Sequence, residues 1–234
     1  MKRFLNMVAD IFYPRCCPVC QKILADQRRM ICPECEKELR PIGHPRCYKC
    51  GKPIETGEYC RDCQKHRHVY EQGRGIFVYD GIMRRSVTRY KYYGCREYGD
   101  FYAKAMSVYG RRYLERWKPQ LIVPVPLHPA KKRMRGFNQA AYLAERLSCY
   151  TGIPVDTDLV QKVVKTKSQK KLNAMQRRNN LRKAYEVTHK LDDISILVVD
   201  DVYTTGSTMD AMAICLTEAG AQAVYFLTVC AGRQ

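Results

Sequence analysis

No apolar run in this 234-residue chain approaches the roughly 20 residues that cross a bilayer as a helix, which excludes a membrane-spanning segment. The first thirteen residues do not make a signal peptide either. Lys2 and Arg3 open them, but Asn6 and Asp10 interrupt the hydrophobics. They read better as a short amphipathic helix carrying Phe4, Leu5, Val8, Ile11 and Phe12. Acidic side chains are scarce, 23 against 41 Lys and Arg, and the formal charge is +18. Such a surplus favours an acidic partner, nucleic acid or phosphorylated metabolites, although it also serves solubility alone. There is no Gly-Lys-Ser/Thr ending, so a P-loop is excluded. Large hydrophobics are few before residue 70, and that segment is too small to fold on a core of its own.

Cysteine is the exception to this thrift. The chain has 13, and nine of them precede Gln64. Eight form C-x-x-C pairs: Cys17/Cys20, Cys32/Cys35, Cys47/Cys50 and Cys60/Cys63. Their first members are 15, 15 and 13 residues apart, and a lysine stands two residues after each second cysteine (Lys22, Lys37, Lys52, Lys65). This is a fourfold repeat of a metal knuckle, and two knuckles complete one tetrahedral Cys₄ zinc site. Two structural Zn²⁺ sites follow, with the lysines offsetting the charge of four thiolates. Sequential pairing and an interleaved cross-brace both satisfy the spacing. Such clustering points to metal rather than disulfides, and so to a reducing cytoplasm. Ribbons of this kind bind nucleic acid or a partner, or act as purely structural clips. Cys16 is spare, and His44, His66 and His68 are alternative ligands.

The stretch that organises the remainder runs from Ile196 to Thr208. Ile196–Val199 predicts a strand buried on both faces, ending at Asp200 and Asp201. A turn of hydroxyls around one glycine follows. Met209, Met212, Ala213 and Leu216 then mark a helix face that stops at Gly220. A helix N-terminus presents unpartnered N–H groups to an anion. Thr204, Thr205, Ser207 and Thr208 add donors, and Gly206 permits close approach. The aspartates repel phosphate and suit sugar hydroxyls or a hydrated divalent cation. Hydroxyls here are also ordinary N-caps, and paired Asp residues can simply end a strand. The opening strand also matches that of a receiver domain, but too little chain follows it.

Other elements fit an alternation of strands and helices. Gln72–Gly75 breaks the pattern, Ile76–Tyr79 predicts a strand, and Asp80-Gly81 a turn. Helices are expected over Met83–Tyr92 and Tyr98–Trp117. The first mixes Arg84, Arg85, Arg89 and Lys91 with Tyr90, Tyr92 and Tyr93, a pattern that suits single-stranded nucleic acid or a solvated basic face. Leu121–Pro129 predicts a second strand ended by prolines. A cationic loop with Lys131, Lys132, Arg133, Arg135 and Gly136 follows, suited to a pyrophosphate, with His128 beside it. A helix with Ala140, Leu143, Ala144 and Leu147 on one face then runs to Gly152. Residues 160–190 hold ten Lys or Arg and one acid, Glu186, and predict a mobile excursion or a solvated charge run. Val224–Val229 closes the sheet. Alternating elements give a parallel sheet whose ligands bind at the strands' carboxyl ends.

The Asp200–Thr208 stretch resembles the phosphoribosyl-diphosphate (PRPP) motif of type I phosphoribosyltransferases. The whole chain resembles the ComF family. The residues that carry this are the four C-x-x-C pairs, Val125-Pro126-Leu127-His128, Arg135-Gly136-Phe137-Asn138-Gln139, Ser168-Gln169 through Arg177, Asn180-Leu181-Arg182, and Asp200 to Gly206. The resemblance implies an α/β fold: a parallel-sheet phosphoribosyltransferase-like domain over residues 71–234, preceded by a double zinc ribbon over 16–70 and a short helix over 1–15. It implies that Asp200 and Asp201 hold the ribose hydroxyls, and that Thr204, Thr205, Gly206, Ser207 and Thr208 hold the 5′-phosphate. PRPP with Mg²⁺ is the implied ligand. Single-stranded DNA and a competence helicase or another DNA-processing protein are implied partners in cytoplasmic DNA uptake during natural transformation. If transfer to a nitrogen acceptor occurs, Arg133 and Arg135 stabilise the departing pyrophosphate. Only Ala231–Gln234 follow the last strand, so no C-terminal hood for a base is expected.

Overall fold

The computed structural model describes residues 14–163 and 184–233. The expected N-terminal helix and most of the basic excursion lie outside them. In chain order the elements are α1 (Pro33–Glu38), α2 (Arg61–Lys65), β1 (Gln72–Val78), α3 (Gly81–Tyr92), α4 (Tyr98–Tyr109), α5 (Arg111–Trp117) and β2 (Leu121–Pro124). There follow α6 (Pro129–Arg135), α7 (Gln139–Thr151), β3 (Val160–Lys162), β4 (Tyr185–Val187), β5 (Ser195–Tyr203), α8 (Ser207–Glu218) and β6 (Ala223–Ala231).

Four strands form a parallel sheet in the order β1-β6-β5-β2. Strand alternation divides its side chains between two cores. Ile196, Val198, Val224 and Phe226 join α8 and the second ribbon on one face. Leu197, Val199, Leu227 and Val229 join α3, α4, α5 and α7 on the other. The apolar runs therefore read correctly as strands covered on both sides.

Several boundaries differ from the sequence expectation. Gln72–Gly75 does not break the pattern but is the first half of β1. Gly73 is there because a Cβ would sit 1.9 Å from the Phe226 ring, which Tyr70 and Tyr203 pack edge-on and face-on. The expected long helix over 98–117 is two helices broken at Gly110. The cationic loop is mostly the helix α6: Pro129 starts it at a position that needs no N–H, and His128 Nδ1 caps it by accepting from Ala130 N at 3.2 Å. Strand β5 does not end at the aspartates. It pairs on through Val202↔Cys230 and Tyr203↔Ala231. Helix α8 is buried nearly all round rather than on one stripe, since the ribbon covers its outer side. Strands β3 and β4, within the basic stretch 160–190, pair antiparallel. No helix among the described residues is long and apolar enough to cross a membrane.

Candidate functional site

Two Cys₄ clusters stand in the N-terminal part, Cys17/Cys20/Cys32/Cys35 and Cys47/Cys50/Cys60/Cys63, with the sulfurs of each within 4.8 Å of one another. The pairing is thus sequential and not interleaved. Cys16, His44, His66 and His68 belong to neither cluster. Four convergent thiols with no other donor suit Zn²⁺.

The clusters sit differently. Cys17, Cys32 and Cys35 share a small core with Leu24 and Ile31. Cys47, Cys50 and Cys60 join the main core beside Tyr70, Tyr203 and Phe226. The Tyr70 and Tyr203 hydroxyls are 2.7 Å apart. Lys52, following the third knuckle pair, is buried and bridges to Asp62 at 2.7 Å. Just beyond the ribbon, the buried His68 ring stacks on Tyr70, and its Nδ1 pairs with Asp210 Oδ2 at 2.8 Å. Asp210 also accepts from Val69 N at 2.9 Å. The second ribbon is therefore bonded into the first turn of α8.

A cleft of about 330 Å³ opens at the carboxyl ends of β5 and β2. It gathers Asp200 and Asp201 from β5, Thr204 and Thr208 from the turn, and Lys131 and Arg135 from α6. Lys91 of α3 and Lys162 of β3 complete it. Four cations thus meet two carboxylates. Thr205, Gly206 and Ser207 lie in the same turn, with Thr205 Oγ1 and Ser207 Oγ 3.1 Å apart. Gly206 is the N-cap of α8 at φ +85°, and no side chain caps the helix. Its first N–H groups are left for a ligand, and the one acid of that turn, Asp210, is engaged by His68. Arg133 is exposed on α6 and does not line the cleft.

Arg135 is held ready. Its guanidinium donates to Gln139 Oε1 at 2.9 Å and to Tyr92 Oη at 2.6 Å, and lies over the Tyr92 ring. The basic, tyrosine-rich segment 84–93 is only in part an open face: Arg84 and Arg85 are exposed, but Tyr90 is fully buried, the half-exposed Tyr92 braces Arg135, and Lys91 Nζ lies 2.7 Å from Asp201 Oδ1. Tyr93 remains exposed. Lys91 and Lys162 are cleft residues that sequence reasoning counted only as members of charge runs. His68 was weighed only as a spare metal ligand. Nothing local to these residues signals their contacts; only the fold brings them to the turn.

Burial, with the Asp201 charge adding to it, pushes the Asp200 carboxyl up to about 7. Lys91 stays charged despite burial because Asp201 faces it. The native state therefore keeps a proton on Asp200 that the unfolded chain, with a carboxyl near 3.9, has lost. Stability from this group is complete below about pH 4 and lost as pH rises through about 7. Asp200→Asn is expected to stabilise the protein at pH 8 by on the order of a few kcal/mol, seen as a higher melting point, and to leave the melting point unchanged at pH 4. Thermal melts of both proteins at the two pH values check this. Equal melting points at pH 8 would contradict it.

The model of the double zinc ribbon domain matches residues 8–64, and that of the phosphoribosyl transferase domain matches residues 102–234. Competence protein ComFC of Bacillus subtilis is 30% identical over 200 residues, 81% of this chain and 79% of that protein. Competence protein F of Haemophilus influenzae is 27% identical, covering 89% of this chain and 93% of its own length. The DNA utilization protein YhgH of Escherichia coli K12 is 27% identical, with 93% and 97% covered. Among solved structures, a purine phosphoribosyltransferase from Pyrococcus horikoshii aligns over 54% of this chain and 68% of that one, at 18% identity and a TM-score of 0.34.

Proposed function

Because this chain belongs to the ComF family, joining a double zinc ribbon to a phosphoribosyl transferase domain, we propose that it binds PRPP with Mg²⁺ in the β5 cleft and acts on single-stranded DNA during DNA uptake. The observation that carries the PRPP half is the pairing of unlike sites across one cleft. Asp200 and Asp201 suit vicinal hydroxyls, the uncapped start of α8 with Thr204–Thr208 suits a phosphate, and Lys131 and Arg135 suit the pyrophosphate. PRPP carries all three groups. Mg²⁺ enters with the pyrophosphate oxygens.

The DNA half is supported by the +18 charge and by relatives named for competence and DNA utilization. Cations that neutralise backbone phosphates release counterions, and the log–log salt slope is about −0.7 per contact. Fluorescence anisotropy with a labelled oligonucleotide across a salt series tests this. Steeply salt-sensitive binding is expected; no binding at low salt would overturn it. The cytoplasm and a helicase or other DNA-processing partner belong to the same reading.

The braced Arg135 favours a second reading, transfer. A nitrogen nucleophile would bond to the anomeric carbon as the bond to pyrophosphate breaks, and Arg135 and Lys131 would stabilise the departing charge. Pyrophosphate release with a panel of bases and amines decides it; none released with any acceptor would contradict transfer.

A further inference from the structure

The Asp200–Asp201 pair has chemistry open to two kinds of guest. Adjacent carboxylates can hold a divalent ion or accept from a diol. The decisive feature is a third residue. Lys91 Nζ lies 2.7 Å from Asp201 Oδ1, with only 20% of the lysine side chain and 9% of the aspartate's exposed. The Asp200 carboxylate is in turn held by the main chain, since the backbone Asp201 N donates to Asp200 Oδ1 at 2.8 Å.

The ammonium is not a casual surface partner. Lys91 stands in the last turn of α3, where the helix dipole favours a cation. Its neighbours in sequence fix that turn: the buried Tyr90 donates to Gln139 O at 2.8 Å, and Tyr92 is bonded to Arg135 at 2.6 Å. The backbone that carries Lys91 is thus held in place, and its partly buried side chain ends on the Asp201 carboxylate. On the other side of the cleft Lys162 and Lys131 add positive charge. Mg²⁺ and similar ions need near-octahedral oxygen ligation and keep several waters. A pair already neutralised from within, in a cleft richer in cations than anions, offers them little.

We propose that Lys91 is the resident counter-cation of the Asp200–Asp201 pair: it excludes a free divalent ion and reserves the remaining carboxylate oxygens for the two hydroxyls of a vicinal diol. This rests on the ribose-phosphate reading of the cleft. It makes Lys91 a positioning residue that sets what the acids accept. The divalent ion then enters only on the ligand's own phosphate oxygens.

The test uses Mn²⁺, an oxygen-seeking surrogate that does not compete for thiolates, and no PRPP. Its outcome is thus separate from whether PRPP binds. Free Mn²⁺ is followed by electron paramagnetic resonance as the full, zinc-loaded chain is titrated. Wild type and Lys91→Arg are expected to show no saturable site. Lys91→Met, which keeps the apolar stem, should gain one, tighter by about tenfold or more, and Lys91→Met/Asp201→Asn should lose it again. A purely structural role for Lys91 would create no such site. Three results overturn the proposal: saturable Mn²⁺ binding by the wild type that Asp201→Asn removes, no gain in a Lys91→Met protein that melts cooperatively, or a gain that survives Asp201→Asn. The wild-type arm decides even if Lys91→Met fails to fold.

Discussion

Cys50→Ser is expected to abolish binding of phosphate ligands in the β5 cleft and to lower the melting point of the whole molecule. Cys20→Ser, which opens the other cluster, should leave the cleft working. The contrast follows from where each cluster is packed. Cys50 is fully buried in the core that contains Tyr70, Tyr203, Phe226 and Met209. Tyr203 is the last residue of β5, directly before the Thr204–Thr208 turn, and its ring stacks on Phe226 at 4.7 Å. Beyond it, the His68–Asp210 pair bonds the chain leaving the ribbon to the first turn of α8. Zinc binding to such sites is worth about 10–16 kcal/mol, comparable with the whole stability of a domain. Losing it removes the support under Tyr203 as well as the ribbon. Cys20 is exposed, and its cluster shares a separate small core with Leu24 and Ile31. Zinc release assays, thermal melts and PRPP titration of both variants test the contrast. Equal loss of binding in the two would contradict it.

Gly206→Val should weaken binding about 100-fold or more, since several aligned N–H donors to a charged phosphate are lost together. Gly206 holds φ +85°, which costs a β-branched residue strain, and a Cβ there would lie 2.7 Å from Tyr203 Oη and 2.8 Å from His68 Cε1. Both neighbours are fixed, Tyr203 by Tyr70 and His68 by Asp210. The turn must move instead, and the start of α8 moves with it. The expected stability loss is only about 1–3 kcal/mol, so a folded, non-binding protein should result. Calorimetry with PRPP beside a thermal melt separates the two effects. Retained affinity would show that the phosphate is held elsewhere.

Much of this design is legible in the sequence because it is written locally. The cysteine knuckles declare themselves by spacing, β5 by four consecutive apolar residues, and the turn before α8 by Gly206 among hydroxyls. What was missed depends on distant partners. Gly73 reads as a breaker until Phe226 is seen against it. Lys91 reads as one more surface cation until α3 lays it on Asp201. His68 reads as a metal ligand until Asp210, 142 residues away, is found beside it. Arg133 and Arg135 look equivalent in the chain, but α6 turns one into the cleft and leaves the other in solvent. Local pattern fixes elements; which side chains meet is set by the order of the strands.

The most direct test is calorimetric titration of the zinc-loaded protein with PRPP and Mg²⁺, repeated on Asp200→Asn/Asp201→Asn. The expected result is saturable binding by the wild type, weakened about 100-fold or more in a variant that still melts cooperatively, since the charged Asp201 and the Asp200 carboxyl beside it are lost together. Undiminished binding by the variant, or none by the wild type, would contradict a ribose-phosphate site at the end of β5.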